Sequence, residues 1–263
     1  MQSEADELQE LVDRINRTAY ATAEVVDWYD HLEIILKPEE VILKKITPVI
    51  RDKRLLDIGI GGGRTTKFLL EISRDYTGID YTPRCVEIVR RKYPNANTLS
   101  GDARDLRAFG DAAFDFVLFS FNAIDYMVHE DRIKALDEIH RVLKPGGLFM
   151  FSTHNRDYKY FDKLPWQEPR FDLKHFKSCL YTFFHLLKHY RMKKYEIRTD
   201  TYAIINDTGH GFSLLAYYIS LGEQLRQLGQ AGFVDVESYD MEGNPTTNDR
   251  DFPWTHYLAR RGR

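Results

Sequence analysis

The chain has 263 residues, of which 43% are hydrophobic and 29% are charged, and its formal net charge is −3 at pH 7. These values are typical of one large globular domain, and no stretch approaches the roughly eighteen uninterrupted apolar residues of a membrane span. Because 37 Lys and Arg stand against 40 Asp and Glu, the chain offers no overall attraction to a phosphate backbone, which argues against nucleic acid as a partner.

Helical patterns occupy the first fifty residues. Apolar residues recur at helical spacing through residues 4–36, which predicts one or two amphipathic helices that form an N-terminal cap. A further helix is expected from Pro38 to about Thr47. Proline at the first helical position loses only a donor that would be unpaired anyway, and the two acids that follow suit the positive end of the helix dipole.

From Arg54 onward, short apolar runs alternate with amphipathic runs. The predicted strands are 55–58, 76–79, a short one near Thr98, 114–119 and 148–152, and the predicted helices between them are 65–72, 83–92 and 131–143. Alternation of this kind builds a parallel sheet with helices on both faces. The Pro-Gly-Gly sequence at 145–147 is interpreted as the turn between the last of these helices and its strand.

The alternation stops after Thr153. Residues 154–218 are rich in aromatic residues, histidines and charge, and are interpreted as an insertion. Within it, 195–205 is predicted to be a strand, 161–190 is undecided between helix and loop, and the basic run 185–198 is interpreted as solvated surface. Regular elements are predicted again for a helix at 221–230 and strands at 233–239 and 255–259.

A glycine-rich turn follows the first predicted strand. There the backbone must approach a ligand closely with its N–H groups pointing outward, and a side chain at Gly59 or Gly61 would occupy the ligand's place. The turn therefore predicts a nucleotide-type ligand. Arg64 stands where the dinucleotide fingerprint G-x-G-x-x-G requires its third glycine, so an NAD(P)-dependent oxidoreductase is the second interpretation.

Five motifs occur in a defined order along the chain. They are D-I-G-I-G-G-G at 57–63, G-I-D-Y at 78–81, G-D-A at 101–103, F-D-F-V-L at 114–118 and L-K-P-G-G at 143–147. In these motifs the sequence resembles the class I S-adenosylmethionine-dependent methyltransferases, over about residues 40–152 and more loosely over 219–260. The resemblance implies an α/β fold with a doubly wound, mostly parallel, seven-stranded sheet, and S-adenosyl-L-methionine as the cofactor, with S-adenosyl-L-homocysteine as its product.

The resemblance also divides the chain, which is expected to be a single methyltransferase domain over 1–263. The expected parts are an N-terminal helical cap at 1–37, a cofactor-binding Rossmann-like core at 38–153, a substrate-side insertion after the fifth strand at 154–218, and a C-terminal helix and strands that complete the sheet at 219–263.

Two acids are the leading candidates for contacts with the cofactor. Asp80 ends the second predicted strand about 20 residues after Gly59, the spacing of an acid that accepts hydrogen bonds from ribose hydroxyls. Asp102 matches the family acid that accepts from the adenine amino group, with the Ala103 backbone beside it; a turn or helix cap is the alternative role. The other residues assigned to the cofactor site are Asp57, Gly59, Gly61, Gly63, Arg64, Tyr81 and Ser120.

Two of these assignments carry a more specific expectation. Asp57 is expected to orient the glycine turn near the methionine part of the cofactor. Arg64 is assigned either to the methionine carboxylate or to an exposed helix start.

The ends of the fourth and fifth strands are expected to line the acceptor crevice, because the carboxyl ends of strands in open α/β sheets do so. His154 is the predicted general base, since a histidine with a pKa near neutral can take a proton from a hydroxyl or an amine. The alternative is a histidine that only hydrogen-bonds at the rim. Asp125 is the second predicted catalytic residue, and His129 and His210 are further candidates.

The acceptor is predicted to be a small molecule methylated on oxygen or nitrogen. No N/D-P-P-Y/F sequence follows the fourth strand, which argues against the methylases of nucleic-acid bases, and the aromatic insertion suits a compact ligand. A third interpretation is a non-catalytic partner subunit that binds the cofactor. We expect a cytoplasmic monomer or homodimer with no metal site and no membrane contact, because the polar, acidic start lacks the features of a secretory signal and no metal-binding motif occurs.

Overall fold

The computed structural model describes residues 4–169, 172–247 and 250–263. The helices are α1 (Glu4–Tyr20), α2 (Ala23–Asp30), α3 (Lys37–Ile50), α4 (Thr66–Ile72), α5 (Pro83–Lys92), α6 (His129–Val142), α7 (Leu173–Met192) and α8 (Leu221–Gln230). The strands are β1 (Leu55–Ile58), β2 (Tyr76–Asp80), β3 (Asn97–Ser100), β4 (Phe114–Phe119), β5 (Leu143–Asn155), β6 (Ile197–Arg198), β7 (Tyr202–Ile205), β8 (Ala216–Ile219), β9 (Phe233–Tyr239) and β10 (Trp254–Arg261).

A mostly parallel sheet in the order β3-β2-β1-β4-β5-β10-β9 lies at the centre of the fold. Strands β1 to β5 pair in parallel, whereas β10 is antiparallel to both β5 and β9. Every residue of β1 and β2 is buried, as expected for parallel strands with helices on both faces. The predicted fold class, a doubly wound sheet of seven strands, is confirmed.

The core consists of two apolar layers, one on each face of this sheet. In β1, Leu56 and Ile58 face the layer to which α6 and α8 contribute, and Leu55 faces the layer of α3 and α4. This alternation follows from the period of two in a strand. Each fully buried Leu or Ile contributes roughly 1.5–3 kcal/mol relative to exposure, so the two layers fix the strand ends that carry the site.

The strand β5 begins five residues earlier than predicted. Phe114 pairs with Leu143 but Phe116 pairs with Leu148, so the Pro-Gly-Gly sequence forms a bulge within the strand instead of the turn before it. Gly146 has a φ of 79°, which other residues rarely adopt. The bulge leaves the register from Leu148 to Asn155 in place, and with it the position of His154.

The insertion differs most from the sequence-based expectations. The undecided stretch contains the 20-residue helix α7, and the single strand predicted at 195–205 is wrong, because a turn divides it into β6 and β7. The Thr199 hydroxyl makes this turn by accepting hydrogen bonds from the backbone N–H groups of Thr201 and Tyr202. The unpredicted strand β8 pairs in parallel with the end of β5, so the insertion extends the sheet beyond the end of β4.

The N-terminal cap consists of α1 and α2. Thr22 caps α2 by accepting from the backbone N–H of Val25. The buried Asn16 side chain holds α1 in place: its amide donates to the carbonyls of Tyr126 and Leu215 at 3.0 and 2.9 Å and accepts from the Leu215 N–H at 2.9 Å. The cap is therefore bound both to the loop after β4 and to the insertion. No helix in the described part of the chain is long and apolar enough to cross a membrane.

Candidate functional site

A pocket of about 840 Å³, counting its open mouth, lies at the carboxyl ends of β1, β2 and β4. The predicted cofactor residues that line it are Gly59, Gly61, Asp80, Tyr81, Asp102, Ala103 and Ser120. The cap supplies Arg17, Tyr20 and Tyr29 to the same pocket, which the sequence analysis did not assign to the cofactor site. Asp57, Gly63 and Arg64 lie outside its lining.

The glycine turn between β1 and α4 is packed on both sides. A β-carbon at Gly59, whose φ is 69°, would lie 3.2 Å from the Phe119 ring and 3.3 Å from Ala123. A β-carbon at Gly62 would overlap the backbone carbonyl of Tyr29 in α2. The cap can pack against one side of the turn, and the pocket wall against the other, only because these glycines have no side chains.

Asp80 presents a buried carboxylate to the pocket. Its Oδ2 accepts from the Gly61 N–H at 2.9 Å, and its Oδ1 accepts from the Thr82 N–H at 2.8 Å. Burial raises the pKa of Asp80, and no cation among the described residues forms a salt bridge with it. Each carboxylate oxygen accepts more than one hydrogen bond, so both keep acceptor capacity for donors on a ligand.

Asp102 joins the cap to the other end of the pocket. The guanidinium of Arg104 donates to its two oxygens at 2.9 and 2.8 Å, and Arg17 of α1 donates to Oδ2. Burial raises the pKa of Asp102, but the hydrogen bonds and charges of the two arginines outweigh it and hold that pKa at about 2. The Arg17 guanidinium also lies 4.7 Å from the centre of the Tyr81 ring. The helix α1 thus closes this end.

Asp57 and Arg64 support the turn from outside the pocket. The Thr65 and Tyr76 hydroxyls donate to Asp57 at 2.8 and 3.1 Å, and burial raises the pKa of this carboxyl to about 7. The Arg64 guanidinium donates to both carboxylate oxygens of Glu39 at 2.5 and 2.7 Å. The guanidinium of Arg64 is thus already paired, and the sequence analysis missed this pairing with Glu39. The assignment of Arg64 to the methionine carboxylate stays a prediction.

A second cavity, of about 1640 Å³ with its open part, adjoins the first pocket. The two share the aromatic side chains of Tyr29, Phe121 and Tyr126. The remaining walls come from the cap, the insertion, β5 and β10, and include Trp28, His154, Tyr181, Asp207, His210, Tyr218 and Trp254. Phe121 has a left-handed backbone with a φ of 57°, a strained conformation of the kind that concentrates at functional sites.

His154 and Asp125 are brought together at the wall of this cavity. The Asp125 carboxylate, which is fully buried, accepts from the backbone N–H of His154 at 2.6 Å and lies 2.9 Å from its Nδ1. A carboxylate only accepts, so Nδ1 carries the proton and Nε2 is left as the free acceptor. Within the described residues, Nε2 has no hydrogen-bond partner.

A buried arginine completes this arrangement. Arg132 of α6 donates to Asp125 Oδ1 at 2.5 Å and to the side-chain oxygen of Gln224 in α8 at 2.6 Å. The guanidinium lies 4.7 Å from the centre of the Tyr217 ring. Sequence reasoning missed Arg132 and Gln224, because each lies within a helix whose pattern gave no sign of a polar partner across the core.

The two further histidine candidates lie in different places. His129 lies outside both cavities, where its Nδ1 is 2.8 Å from the Tyr217 hydroxyl and its ring stacks on Tyr202. His210 lines the second cavity, and its ring contacts Trp28 of the cap at a centroid distance of 5.5 Å. Burial lowers the pKa of His210. This residue therefore connects the insertion to the cap.

Residues 56–151 match the family model described as a methyltransferase domain. A protein of Mycolicibacterium smegmatis described as a probable S-adenosylmethionine-dependent methyltransferase is 29% identical over 140 residues, 53% of this chain and 50% of the relative. A ubiquinone biosynthesis O-methyltransferase of Cereibacter sphaeroides is 35% identical over 41% of this chain and 44% of its own length. The chain spans about half the length of these relatives.

The fold extends the likeness over the whole chain. The structure of a 1,6-didemethyltoxoflavin-N1-methyltransferase from Burkholderia thailandensis, solved with 1,6-didemethyltoxoflavin and S-adenosylhomocysteine bound, has a TM-score of 0.60 and 14% identity and covers 100% of this chain and 92% of its own. At that identity the likeness shows the fold alone. Residues 56–151 therefore form a methyltransferase domain, and the chain has the fold of the class I S-adenosylmethionine-dependent methyltransferases.

Proposed function

We propose that this protein transfers the methyl group of S-adenosylmethionine to an oxygen or nitrogen atom of a small-molecule acceptor. One observation carries the proposal. A pocket with a glycine turn and a buried carboxylate opens, across three shared aromatic side chains, into a second cavity that holds the His154–Asp125 pair. Two ligands that must react with each other require two adjoining sites of this kind.

The first pocket fits the cofactor on its own chemistry. Asp80 is 7% exposed and has no cationic partner among the described residues, so ribose hydroxyls would supply donors that its buried carboxylate lacks. Gly59 and Gly61 line the pocket, and their φ values of 69° and 50° are ones that glycine adopts without strain, as the turn requires. Asp102 and Ala103, at the closed end beside Arg17, are assigned to the adenine.

When bound, S-adenosylmethionine supplies an electrophilic methyl carbon, so the chain has to align the acceptor, exclude water and receive a proton. The shared wall of Tyr29, Phe121 and Tyr126 is where the two ligands would meet. Aromatic walls exclude water from this meeting point, which strengthens the electrostatic interactions inside it. Tight packing of the cap against the glycine turn serves the same end.

His154 is assigned as the general base that takes the proton from the acceptor. Its Nδ1 is held by Asp125, and its Nε2 would accept the proton that the acceptor loses as its new bond to carbon forms. Arg132 donates to the other Asp125 oxygen and so fixes the orientation of this carboxylate towards the imidazole. Asp125 is therefore a positioning residue, and His154 the catalytic one.

A ring-shaped acceptor suits the second cavity best. Its walls include the aromatic side chains of Trp28, Tyr218 and Trp254, which favour a flat ligand over a flexible chain. The names of the two methyltransferases from Cereibacter sphaeroides and Burkholderia thailandensis indicate small-molecule pathways or substrates, and transfer to oxygen in one and nitrogen in the other. The oxidoreductase and partner-subunit interpretations gain no support from the family match.

Binding of the cofactor is tested by calorimetry with S-adenosylhomocysteine. Asp80→Asn should weaken binding at least ten-fold, because a charge-assisted hydrogen bond contributes roughly 1.5–3 kcal/mol. Asp75→Asn is the matched control, since Asp75 lies just before the same strand and its side chain is 63% exposed. Equal affinities for the two variants would remove Asp80 from the cofactor site.

The acceptor class is tested by incubating the protein with methyl-labelled S-adenosylmethionine and a fractionated cell extract. Label should appear in the small-molecule fraction, and chromatography with mass spectrometry would identify the product. Label in RNA or in protein would contradict the acceptor class while leaving the cofactor assignment intact.

A further inference from the structure

The helix α7 has its polar and apolar faces reversed. Thr182 and His189 are buried, and His189 Nδ1 lies 3.0 Å from the side-chain oxygen of Asn206. The opposite face carries large apolar side chains exposed to solvent. A surface helix of a globular protein ordinarily does the reverse, so the outer face of α7 needs a separate explanation.

The exposed residues form a continuous stripe. Spaced alternately by three and four positions, and 47–70% exposed, they are Leu173, Phe176, Leu180, Phe183, Leu187 and Tyr190. Phe184, which is 72% exposed, lies beside them, so the stripe is about 120° wide on a helix of 3.6 residues per turn. At about 150–250 Å² per aromatic side chain, its three phenylalanines alone leave roughly 300–500 Å² open, as much as the largest apolar patch of a typical monomer.

Positive charge is concentrated on the same segment. Residues 173–194 contain no Asp or Glu and six cations: Lys174, Lys177, Lys188, Arg191, Lys193 and Lys194. The rest of the chain therefore has 31 Lys and Arg against 40 Asp and Glu. None of the six forms a salt bridge within the described ranges. A chain that is slightly acidic overall thus presents one strongly basic helix.

We propose that α7 binds the surface of an anionic lipid membrane, with its apolar stripe in the interface and its cations against the headgroups. A basic helix with an apolar face is the form that binds in this way, and each cation near an anionic bilayer adds attraction. This goes beyond the proposed function and replaces the expectation of no membrane contact, which rested on the absence of a spanning segment and of a secretory signal.

The charge of α7 favours an anionic membrane over a second copy of the chain as the partner of the apolar stripe. With the stripe at positions a and d of a heptad, Lys177 and Arg191 occupy the flanking e positions. A symmetric pair of α7 helices would place these cations beside those of the partner with no acid on either helix to offset them, which costs stability. An anionic lipid surface offers the complementary charge instead.

The helix α7 also borders the second cavity. Tyr181 and Lys188 of α7 line that cavity, and Lys188 donates to the Ser213 hydroxyl on its rim. A helix lying in the interface would therefore bring the opening of the cavity close to the lipid. The binding itself requires neither cofactor nor turnover, so its test is independent of the proposed activity.

The first experiment is co-sedimentation of the full chain with phosphatidylcholine vesicles, with and without about one third phosphatidylglycerol. Wild type should bind the anionic vesicles at least about ten-fold more tightly than the neutral ones. The triple variant Phe176→Ser, Phe183→Ser, Leu187→Ser should lose this binding. Its matched control is Val49→Ser, Leu225→Ser, Val234→Ser, which changes three exposed apolar residues elsewhere and should bind as wild type does.

The second experiment separates charge from apolar contact. Lys174→Ala with Lys177→Ala should weaken binding to anionic vesicles roughly ten- to thirty-fold, whereas Lys53→Ala with Lys67→Ala, at exposed sites elsewhere, should not. Failure of wild type to bind, or equal binding to both kinds of vesicle, would overturn the proposal.

Sedimentation velocity decides between lipid and a second copy. A wild-type dimer that the apolar triple variant abolishes, without vesicle binding, would assign the stripe to a second copy and overturn the proposal. Because the substituted side chains are exposed, circular dichroism and thermal melting of the variants should match those of wild type, so loss of binding is separated from loss of folding.

Discussion

The first pocket and the second cavity share three side chains but are built in different ways. Most of the first pocket comes from the ends of neighbouring parallel strands and one turn, all within a short stretch of chain. The second is assembled from the cap, the insertion and the last strand, which are far apart in sequence. The first pocket is therefore encoded largely by one stretch of chain, whereas the second cavity depends on tertiary contacts.

The largest expected effect is a loss of turnover that leaves cofactor binding intact, which would separate the role of the second cavity from that of the first pocket. His154→Asn should lower turnover roughly 10²–10⁴-fold while leaving the affinity for S-adenosylhomocysteine unchanged, because the imidazole lines the second cavity and not the first pocket. His31→Asn, at a side chain 75% exposed, is the control.

Two outcomes would contradict separate roles for the first pocket and the second cavity. Wild-type turnover in His154→Asn would reduce the histidine to a rim residue. An equal loss of turnover and cofactor affinity would mean that the two regions form one site.

The next effect concerns the contact between the cap and the glycine turn. Gly62→Ala should lower the free energy of unfolding by about 1–3 kcal/mol, because the new β-carbon overlaps the Tyr29 carbonyl and α2 must move. Gly110→Ala is the matched control, since no atom lies within 4 Å of the β-carbon it adds. Urea unfolding measures both, and equal stabilities would show that the cap does not press on the turn.

The smallest effect tests the ion pairs between α1 and the core. The folded-state pKa of Asp102, about 2, lies below its ordinary value of 3.8, so the stability it contributes is present above about pH 4 and is lost as the pH falls towards 2. Asp102→Asn should lower the free energy of unfolding by about 1 kcal/mol at pH 7, and this difference should disappear near pH 2.

Asp105→Asn provides the matched comparison. The hydrogen bonds of Arg107 lower the pKa of Asp105 to about 2 as well, but the side chain is half exposed and solvent screens the pair. Denaturant unfolding at several pH values should therefore show a smaller effect for this variant. A larger effect at Asp105 than at Asp102 would remove the proposed link between α1 and the first pocket.

The sequence predicted the strands and helices around the first pocket better than those of the insertion. Strands β1 and β4 and helix α5 were predicted to the residue, because short apolar runs and amphipathic runs each have their own period. The strand predicted at 195–205 was wrong because a short turn within it leaves the alternation almost unchanged. The apolar residues of α7 do recur at helical spacing, but periodicity alone does not show that this face points outwards to solvent.

Individual site residues show the same limit. Asp80 and Asp102 follow strands whose ends can be located from sequence, so their presence in the first pocket could be anticipated; their roles towards the cofactor stay predictions. The pairings of Arg64 with Glu39 and of Arg132 with Gln224 join segments that are brought together only by folding. Short-range patterns carry no information about such contacts.

The Asn16 side chain, with its three hydrogen bonds to the Tyr126 and Leu215 backbone, also has a kinetic consequence. Any opening that lifts α1 from the pocket must break these bonds together, at a net cost of roughly 0.5–1.5 kcal/mol for each hydrogen bond that is exchanged for one with water. Ligand release by this route would then be slow, and the exchange of the Leu215 amide hydrogen with deuterium would report the frequency with which the cap opens.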